Sequence, residues 1–292
     1  MHILVTGGAG YIGSVATRML LDAGFQVRVL DDLSTGHRDA VPTDAEFVQV
    51  SILDELDQHM KGIDAVMHFA GKSLVGESMQ KPDLYWSVNR DGSENLINAM
   101  KRNGINKLVF SSSAATYGEP TSIPIKEDAE SLPTNVYGQT KLAVDQLLAA
   151  NSQWLSSVSL RYFNVAGAYK GANGWLSERH NPETHLIPNI LRATESSPVK
   201  IFGTDWPTPD GTCIRDYVHV EDVANAHLLA ANYLESGGKS ETFNLGTGDF
   251  TFNVWFNNSG GGDYQRVFTI GIFASAGNFQ FERGGSDRVV IH

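Results

Sequence analysis

The 292-residue sequence predicts an α/β protein built on a doubly wound parallel sheet, and three observations carry that expectation. Short, continuously apolar runs alternate with stretches of helical periodicity through most of the chain. The runs lack the in–out alternation of a sheet with one wet face, so helices must cover both faces. A glycine-rich turn joins the first apolar run to the first helical stretch, and loops at that end of such sheets gather ligands. A smaller C-terminal domain and an atypical β-like tail complete the expected architecture.

Taken in order, strands are expected at residues 3–5, 27–30, 47–50, 65–69, 107–111 and 158–161. The first is followed by a helix from Tyr11 to Ala23. Asp54 is a good N-cap and is expected to open a short helix. Pro82 suits the first turn of a helix reaching about Asn103, and another helix is expected from about Asn135 to Leu155. Beyond residue 165, Gly and Pro cluster at residues 167–174 and 206–211, the mark of a loop-rich, ligand-facing domain. A helix from Glu221 to Leu234 and a strand at residues 242–245 are candidates to return to the main sheet. The expected domains are therefore residues 1–165, joined by about 216–245, then 166–248, then a tail at 249–292. That tail contains no Leu and no Lys; Phe250, Phe252, Val254 and Phe256 alternate with other residues at strand periodicity, and residues 257–263 read as a loop.

Composition narrows the class of function. With 22 basic against 33 acidic residues the net charge is −11, which repels phosphate backbones and argues against a nucleic-acid partner. No apolar run approaches the roughly 18 residues of a membrane span. The first residues lack the basic and long apolar parts of a signal peptide. The one cysteine, Cys213, cannot form an internal disulfide and reads as a small packed residue, in keeping with a reducing, cytoplasmic setting. The nine histidines show no metal-ligand spacing and no CxxC occurs, so no metal is expected. Phe202 and Trp206 read as core or pocket lining.

Two constellations carry chemistry. The turn Thr6-Gly7-Gly8-Ala9-Gly10-Tyr11-Ile12-Gly13 holds both Gly8-x-Gly10-x-x-Gly13 and Gly7-x-x-Gly10-x-x-Gly13. Glycines there permit a tight turn and let backbone N–H groups reach a pyrophosphate at a helix N-terminus. Asp31 closes the second strand, where a carboxylate accepts ribose hydroxyls; adjacent Asp32 would repel a 2′-phosphate, favouring NAD over NADP. In the second constellation Tyr137 and Lys141 stand four apart and share a helix face. Tyrosine's pKa near 10 makes it a poor base, but a neighbouring ammonium and an oxidised nicotinamide both favour the phenolate. Ser111-Ser112-Ser113 ends a strand at the ligand-gathering edge.

With these residues in view, the sequence resembles the extended short-chain dehydrogenase/reductases, which have a Rossmann-like fold, and within them the UDP-glucose 4-epimerases. The matching segments are residues 7–14, 31–37, 68–78, 111–118, 137–141, 161–165 and 211–220, in the family's order. The resemblance implies that Tyr137 is the catalytic base, Lys141 its electrostatic partner and ribose ligand, and Ser113 the hydroxyl that helps move the proton on the sugar O4. It implies NAD held by Gly7, Gly10, Tyr11, Ile12, Gly13, Asp31, Asp32, Leu33, Ser34, Thr35, Gly36, Ser51, Ile52, Phe69, Ala70, Gly71 and Asn89, together with Tyr137, Lys141 and Phe163. It implies a UDP-sugar, UDP-glucose or UDP-galactose, met by Ser113, Tyr137, Asn164, His185, Leu186, Phe202 and Arg215. It also implies a homodimer packed through the long helices that begin near Pro82 and Asn135.

The sequence departs from the family at three points. Ser51 stands where the family usually has an Asp near the adenine. The family's later Arg-x-Gly-Asp segment is not recognisable, residues 283–287 being only a loose echo. Residues 249–292 do not resemble the family, so firmly held NAD with a weakened grip on UDP is expected. A nucleotide-sugar 4,6-dehydratase needs an acid–base pair after the strand-end hydroxyl, and here Ser113 is followed by Ala114-Ala115. Another NAD-dependent UDP-sugar epimerase, such as a uronate epimerase, and a nucleotide-binding protein with impaired turnover are the alternatives that remain.

Overall fold

The computed structural model describes residues 1–171, 174–194, 196–209, 211–246, 252–256 and 265–270. The described residues include a parallel sheet of seven strands in the order β11-β6-β5-β4-β1-β2-β3. Its strands are β1 (His2–Thr6), β2 (Gln26–Asp31), β3 (Glu46–Gln49), β4 (Ala65–His68), β5 (Lys107–Ser111), β6 (Ser156–Tyr162) and β11 (Glu241–Leu245). Every pairing in it is parallel, with registers such as Val5 to Val29 and Val5 to Met67 flanking the central strand. The strand order reverses between β1 and β4, and ligands of such sheets bind in the crevice beyond the carboxyl ends there.

Both faces are covered, as continuously apolar strands require. On one face lie α1 (Tyr11–Asp22) and α7 (Val220–Glu235), where Val15, Ala16, Val220 and Ala224 form a buried cluster. On the other, α4 (Gly92–Arg102) and α5 (Val136–Ala150) pack Leu96, Met100, Val144 and Leu148 against Leu4, Val66 and Phe110. Shorter elements are α2 (Val75–Gln80), α3 (Pro82–Tyr85), β7 (Asn164–Ala166), β8 (Ala168–Gly171), β9 (Gly174–Ser177), α6 (Leu186–Arg192) and β10 (Tyr217–His219). The β8–β9 pair is an antiparallel hairpin.

Three boundaries differ from expectation. Asp54 opens no α-helix: its carboxylate turns back to accept the Ser51 N–H (3.0 Å), and a single 3-10 turn follows at Asp57–His59. The expected helix from Pro82 is interrupted, α3 passing into a π-helical segment, Trp86–Asp91, before α4 resumes. The helix from Asn135 stops at Ala150, because Asn151 turns its side chain onto the Leu147 carbonyl (2.9 Å) and onto the indole of Trp154 (2.9 Å).

The chain divides into two compact units, residues 1–183 with 219–245, and residues 184–218 with 246–292. Of the two readings for Phe202 and Trp206 in the second unit, core or pocket lining, their exposure of 95% and 55% rules out core; the described chain between α6 and β10 forms no helix or strand. The same unit contains an antiparallel pair, β12 (Phe252–Phe256) and β13 (Gln265–Ile270). The expected loop at 257–263 and the echo at 283–287 lie outside the described residues. No described helix is long and apolar enough to cross a membrane.

Candidate active site

The glycine-rich turn is shaped by where a side chain cannot go. Gly7 has φ +73°, and a Cβ there would lie 2.5 Å from the Ala70 backbone nitrogen. A Cβ on Gly13 would fall on the Gly7 carbonyl oxygen, so α1 can start this close to β1 only without one. No side chain caps α1 at Gly10. Its first-turn N–H groups and the positive end of its dipole are thus left for an anion to satisfy.

Asp31 ties this turn to the next loop. One carboxylate oxygen accepts the Ala9 N–H (2.9 Å) and the other the Leu33 N–H (2.8 Å), while Asp32 accepts from the Ser34 N–H (2.8 Å). Burial raises the proton affinity of Asp31, the two backbone donors oppose it, and the charge of Asp32 adds to the rise. Both oxygens keep a lone pair for further donors. The loop so held, Leu33 to His37, lines a cleft of about 380 Å³ with Gly71, Lys72 and Tyr85. A smaller recess beside it is bordered by Gly10, Tyr11, Ser14 and Thr35. The far wall is clasped on: Arg179 pairs with Asp39 (2.8 and 2.9 Å), and a ring nitrogen of His37 meets the Arg179 carbonyl (3.1 Å). Ser51 and Ile52 follow β3 at the same edge, where the Val50 N–H donates to the Asp31 carbonyl (3.2 Å). An uncapped helix start bordering one recess, and a buried carboxylate at the end of β2 that holds the loop lining the neighbouring cleft, fit an extended dinucleotide.

The second group converges on the end of β5. Ser113 Oγ accepts the Ala115 N–H (3.1 Å) and lies near enough to the Tyr137 phenol to favour its phenolate, and Lys141 Nζ donates to the Ser111 carbonyl (2.8 Å). The ammonium lies 4.9 Å from the centre of the Phe110 ring and 5.9 Å from that of Tyr137. Burial pushes the Lys141 pKa down to about 8, with the charge of Asp145 acting the other way. Burial raises that of Tyr137, and the nearby Ser113 hydroxyl opposes the rise. Asn89, buried in the π-helical segment, holds the wall opposite: its Oδ1 accepts the Lys72 N–H (2.7 Å), and its Nδ2 donates to the Lys72 carbonyl and to Thr140 Oγ1 (both 3.0 Å). A Cβ on Gly71 would lie 3.7 Å from Lys141 Nζ, so Gly71, Asn89 and Lys141 border one space. A helical irregularity at a ligand-facing residue is a frequent association.

A sequence profile of the NAD dependent epimerase/dehydratase family matches residues 3–246. The chain belongs to that family. A UDP-glucose 4-epimerase of Corynebacterium glutamicum is 49% identical over 255 residues, covering 85% of this chain and 76% of that protein. One from Lacticaseibacillus casei is 50% identical with the same coverage. The crystal structure of UDP-glucose 4-epimerase from Brucella ovis in complex with NAD superposes with a TM-score of 0.80 at 43% identity, covering 84% of this chain and 77% of that one.

In this epimerase/dehydratase-family chain the remaining expected residues fall as follows. Phe69 follows β4, its N–H on the Thr6 carbonyl (2.9 Å) and its ring 4.5 Å from that of His227. Tyr11 begins α1 and donates its hydroxyl to the Gly167 carbonyl (2.6 Å); burial and the charge of Glu178 raise its proton affinity. Ile12 packs with Tyr11 and Phe69 against the α1–α7 cluster. Phe163 and Asn164 follow β6 in the first unit, whereas His185, Leu186, Phe202 and Arg215 belong to the second. There His185 is the N-cap of α6 and Leu186 its first residue, and Phe202 and Arg215 are exposed. Donor atoms of Glu178, His180 and Glu183 lie within 4.8 Å of one another, His180 bonding Glu178 at 2.9 Å.

Sequence reasoning missed the polar groups behind the site. His68, fully buried, bonds Thr6 Oγ1 (2.7 Å) and Ser93 Oγ (2.8 Å). Ser112, Asp145 and Arg161 form a buried network beneath Lys141. The one sequence signal for Asp145 was its position four residues after Lys141, on the same helix face.

Proposed function

We propose that the protein is an NAD-dependent UDP-glucose 4-epimerase, interconverting UDP-glucose and UDP-galactose by inverting C4 of the hexose. The observation that carries the reading is the convergence of Ser113, Tyr137 and Lys141 at the carboxyl edge of β5, in the same unit as the uncapped start of α1 and Asp31. Bound NAD supplies the hydride acceptor and donor at C4. The chain's own residues hold and move the proton. Tyr137, with Lys141 beside it, takes the O4 proton through or beside the Ser113 hydroxyl, and returns it once the 4-keto sugar has presented its other face. Its resting phenol is protonated, since burial raises its proton affinity; the Lys141 ammonium favours the phenolate when the site is filled.

Gly7, Gly10, Tyr11, Ile12 and Gly13 are assigned to the pyrophosphate, Asp31 to the adenosine ribose, and Asn89 and Lys141 to the nicotinamide side. Asn164, His185, Leu186, Phe202 and Arg215 are assigned to the UDP part, Arg215 as a guanidinium suited to a diphosphate. Ala114-Ala115 after Ser113 disfavours dehydration, because neither can shuttle a proton. The reading extends to a cytoplasmic protein that forms a homodimer packed through the helices that follow Pro82 and Asn135; static light scattering or ultracentrifugation of the purified chain would reveal the dimer as a doubled mass. The functional test is to incubate the protein with UDP-galactose and identify the sugar product: UDP-glucose supports the reading, and an unchanged sugar or a 4-keto-6-deoxy product overturns it.

A further inference from the structure

The three serines that end β5 each engage a different side chain of α5. The Ser113 hydroxyl is near enough to the Tyr137 phenol to favour its phenolate, the Ser111 carbonyl accepts from Lys141 Nζ (2.8 Å), and the Ser112 hydroxyl donates to Asp145 Oδ2 (3.1 Å). Tyr137, Lys141 and Asp145 are spaced four apart and share one helix face. Asp145 is buried with Arg161 of β6, each side chain 9% exposed, the guanidinium reaching Oδ2 through Nη2 (2.9 Å) and Nε (3.1 Å). Arg161 is itself stacked 4.8 Å from the centre of the Tyr117 ring. Among the described residues, the second oxygen, Oδ1, is buried without a hydrogen-bond partner. A buried, half-satisfied ion pair is a poor device for stability, since an apolar pair of similar volume often does as well. Its position beside the Tyr–Lys pair gives it another use.

We propose that Asp145 is a positioning residue for the catalytic pair: anchored by Ser112 and Arg161, it fixes α5 on the end of β5, and its charge holds the Lys141 ammonium beside Tyr137. This rests on the reading of Tyr137 and Lys141 as that pair. Lys141 is faced by Tyr137 and Asp145 from α5, by His68 from β4, and by the Ser111 carbonyl and Phe110 ring from β5. From β6, Tyr162 bonds the Ser111 hydroxyl and Arg161 faces Asp145. Burial and the Lys141 charge hold His68 neutral, its pKa lowered to about 3, so Asp145 is the anion of this set.

The test reads Lys141 directly. In the whole protein carrying ¹³C at lysine Cε, the Lys141 signal is assigned by its loss in Lys141→Met and titrated with pH. In Asp145→Asn, which keeps the shape and loses the charge, the midpoint should fall, by about one pH unit if the carboxylate acts at the low end of what a nearby opposite charge supplies. The alkaline limb of turnover should fall with it while KM changes little, and Asp145→Glu should restore both. If the single variant does not fold, Asp145→Asn/Arg161→Gln, which strands neither partner of the ion pair, is compared with Arg161→Gln alone, and the Lys141 midpoint should be lower in the double variant. A folded variant with an unmoved midpoint overturns the inference. Absence of turnover in the unmutated protein would instead overturn the functional reading, which the titration does not depend on.

Discussion

Tyr137 sits between two opposing influences, burial that favours its phenol and a hydroxyl from Ser113 that favours the phenolate. Tyr137→Phe keeps the ring and removes the proton acceptor. It should retain NAD and lose turnover by roughly 10²–10⁴-fold, the usual contribution of general acid–base catalysis; kcat on UDP-galactose, with nucleotide released on denaturation as the control, checks this. His227 makes a different prediction. It is fully buried against Phe69, its pKa pushed down to about 4 by burial. The unfolded state, titrating near 6.5, therefore binds a proton that the folded state does not. The contribution to stability is complete above pH 6.5 and is lost as pH falls towards 4, by about 3 kcal/mol at most. Replacing it with a group that does not titrate, His227→Gln, should flatten that part of the acid-unfolding curve measured by urea denaturation. An unchanged slope between pH 4 and 6.5 would show that His227 titrates normally.

At the scale of elements, the start of α1 and the face of α4 make separable predictions. Gly13→Ala places a methyl on the Gly7 carbonyl and should empty the protein of NAD, seen as loss of nucleotide in the denatured supernatant. Leu96→Ala removes a fully buried side chain of α4 and should cost about 2–5 kcal/mol of stability, with the bound nucleotide kept. Most elements were legible in the sequence because their apolar runs are short, continuous and bounded by turn residues. The strand at residues 107–111 and the helix at Tyr11 were read almost to the residue. The π-helical segment after Pro82 was not: Asn89 is held by Lys72 and Thr140, distant in sequence, and its carbonyl takes the Ser93 hydroxyl, none of which a helical periodicity shows. Asp54 failed for a related reason, its carboxylate being used backwards on Ser51 rather than forwards on a helix. In the site, Tyr137 and Lys141 were legible from their spacing and Ser113 from its place at a strand end, with their roles read from the family resemblance, whereas Asp145 and Arg161 meet only because α5 packs on β6.

For the molecule as a whole, parallel order creates the site. Reversal of the strand order between β1 and β4 leaves a crevice at their carboxyl ends, and the glycine-rich turn, Asp31, Phe69 and Ser113 all lie at that edge of their strands. NAD that is reduced and reoxidised within one turnover need never leave, so the protein's task is positioning and electrostatics. The most direct measurement is to incubate the purified protein, with no nucleotide added, with UDP-galactose, then identify the sugar and quantify the NAD freed by denaturation. The account predicts conversion to an equilibrium mixture with UDP-glucose, with NAD present in the released nucleotide and none consumed. A sugar left unchanged by NAD-loaded protein, or turnover that consumes added NAD in step with product, would contradict it.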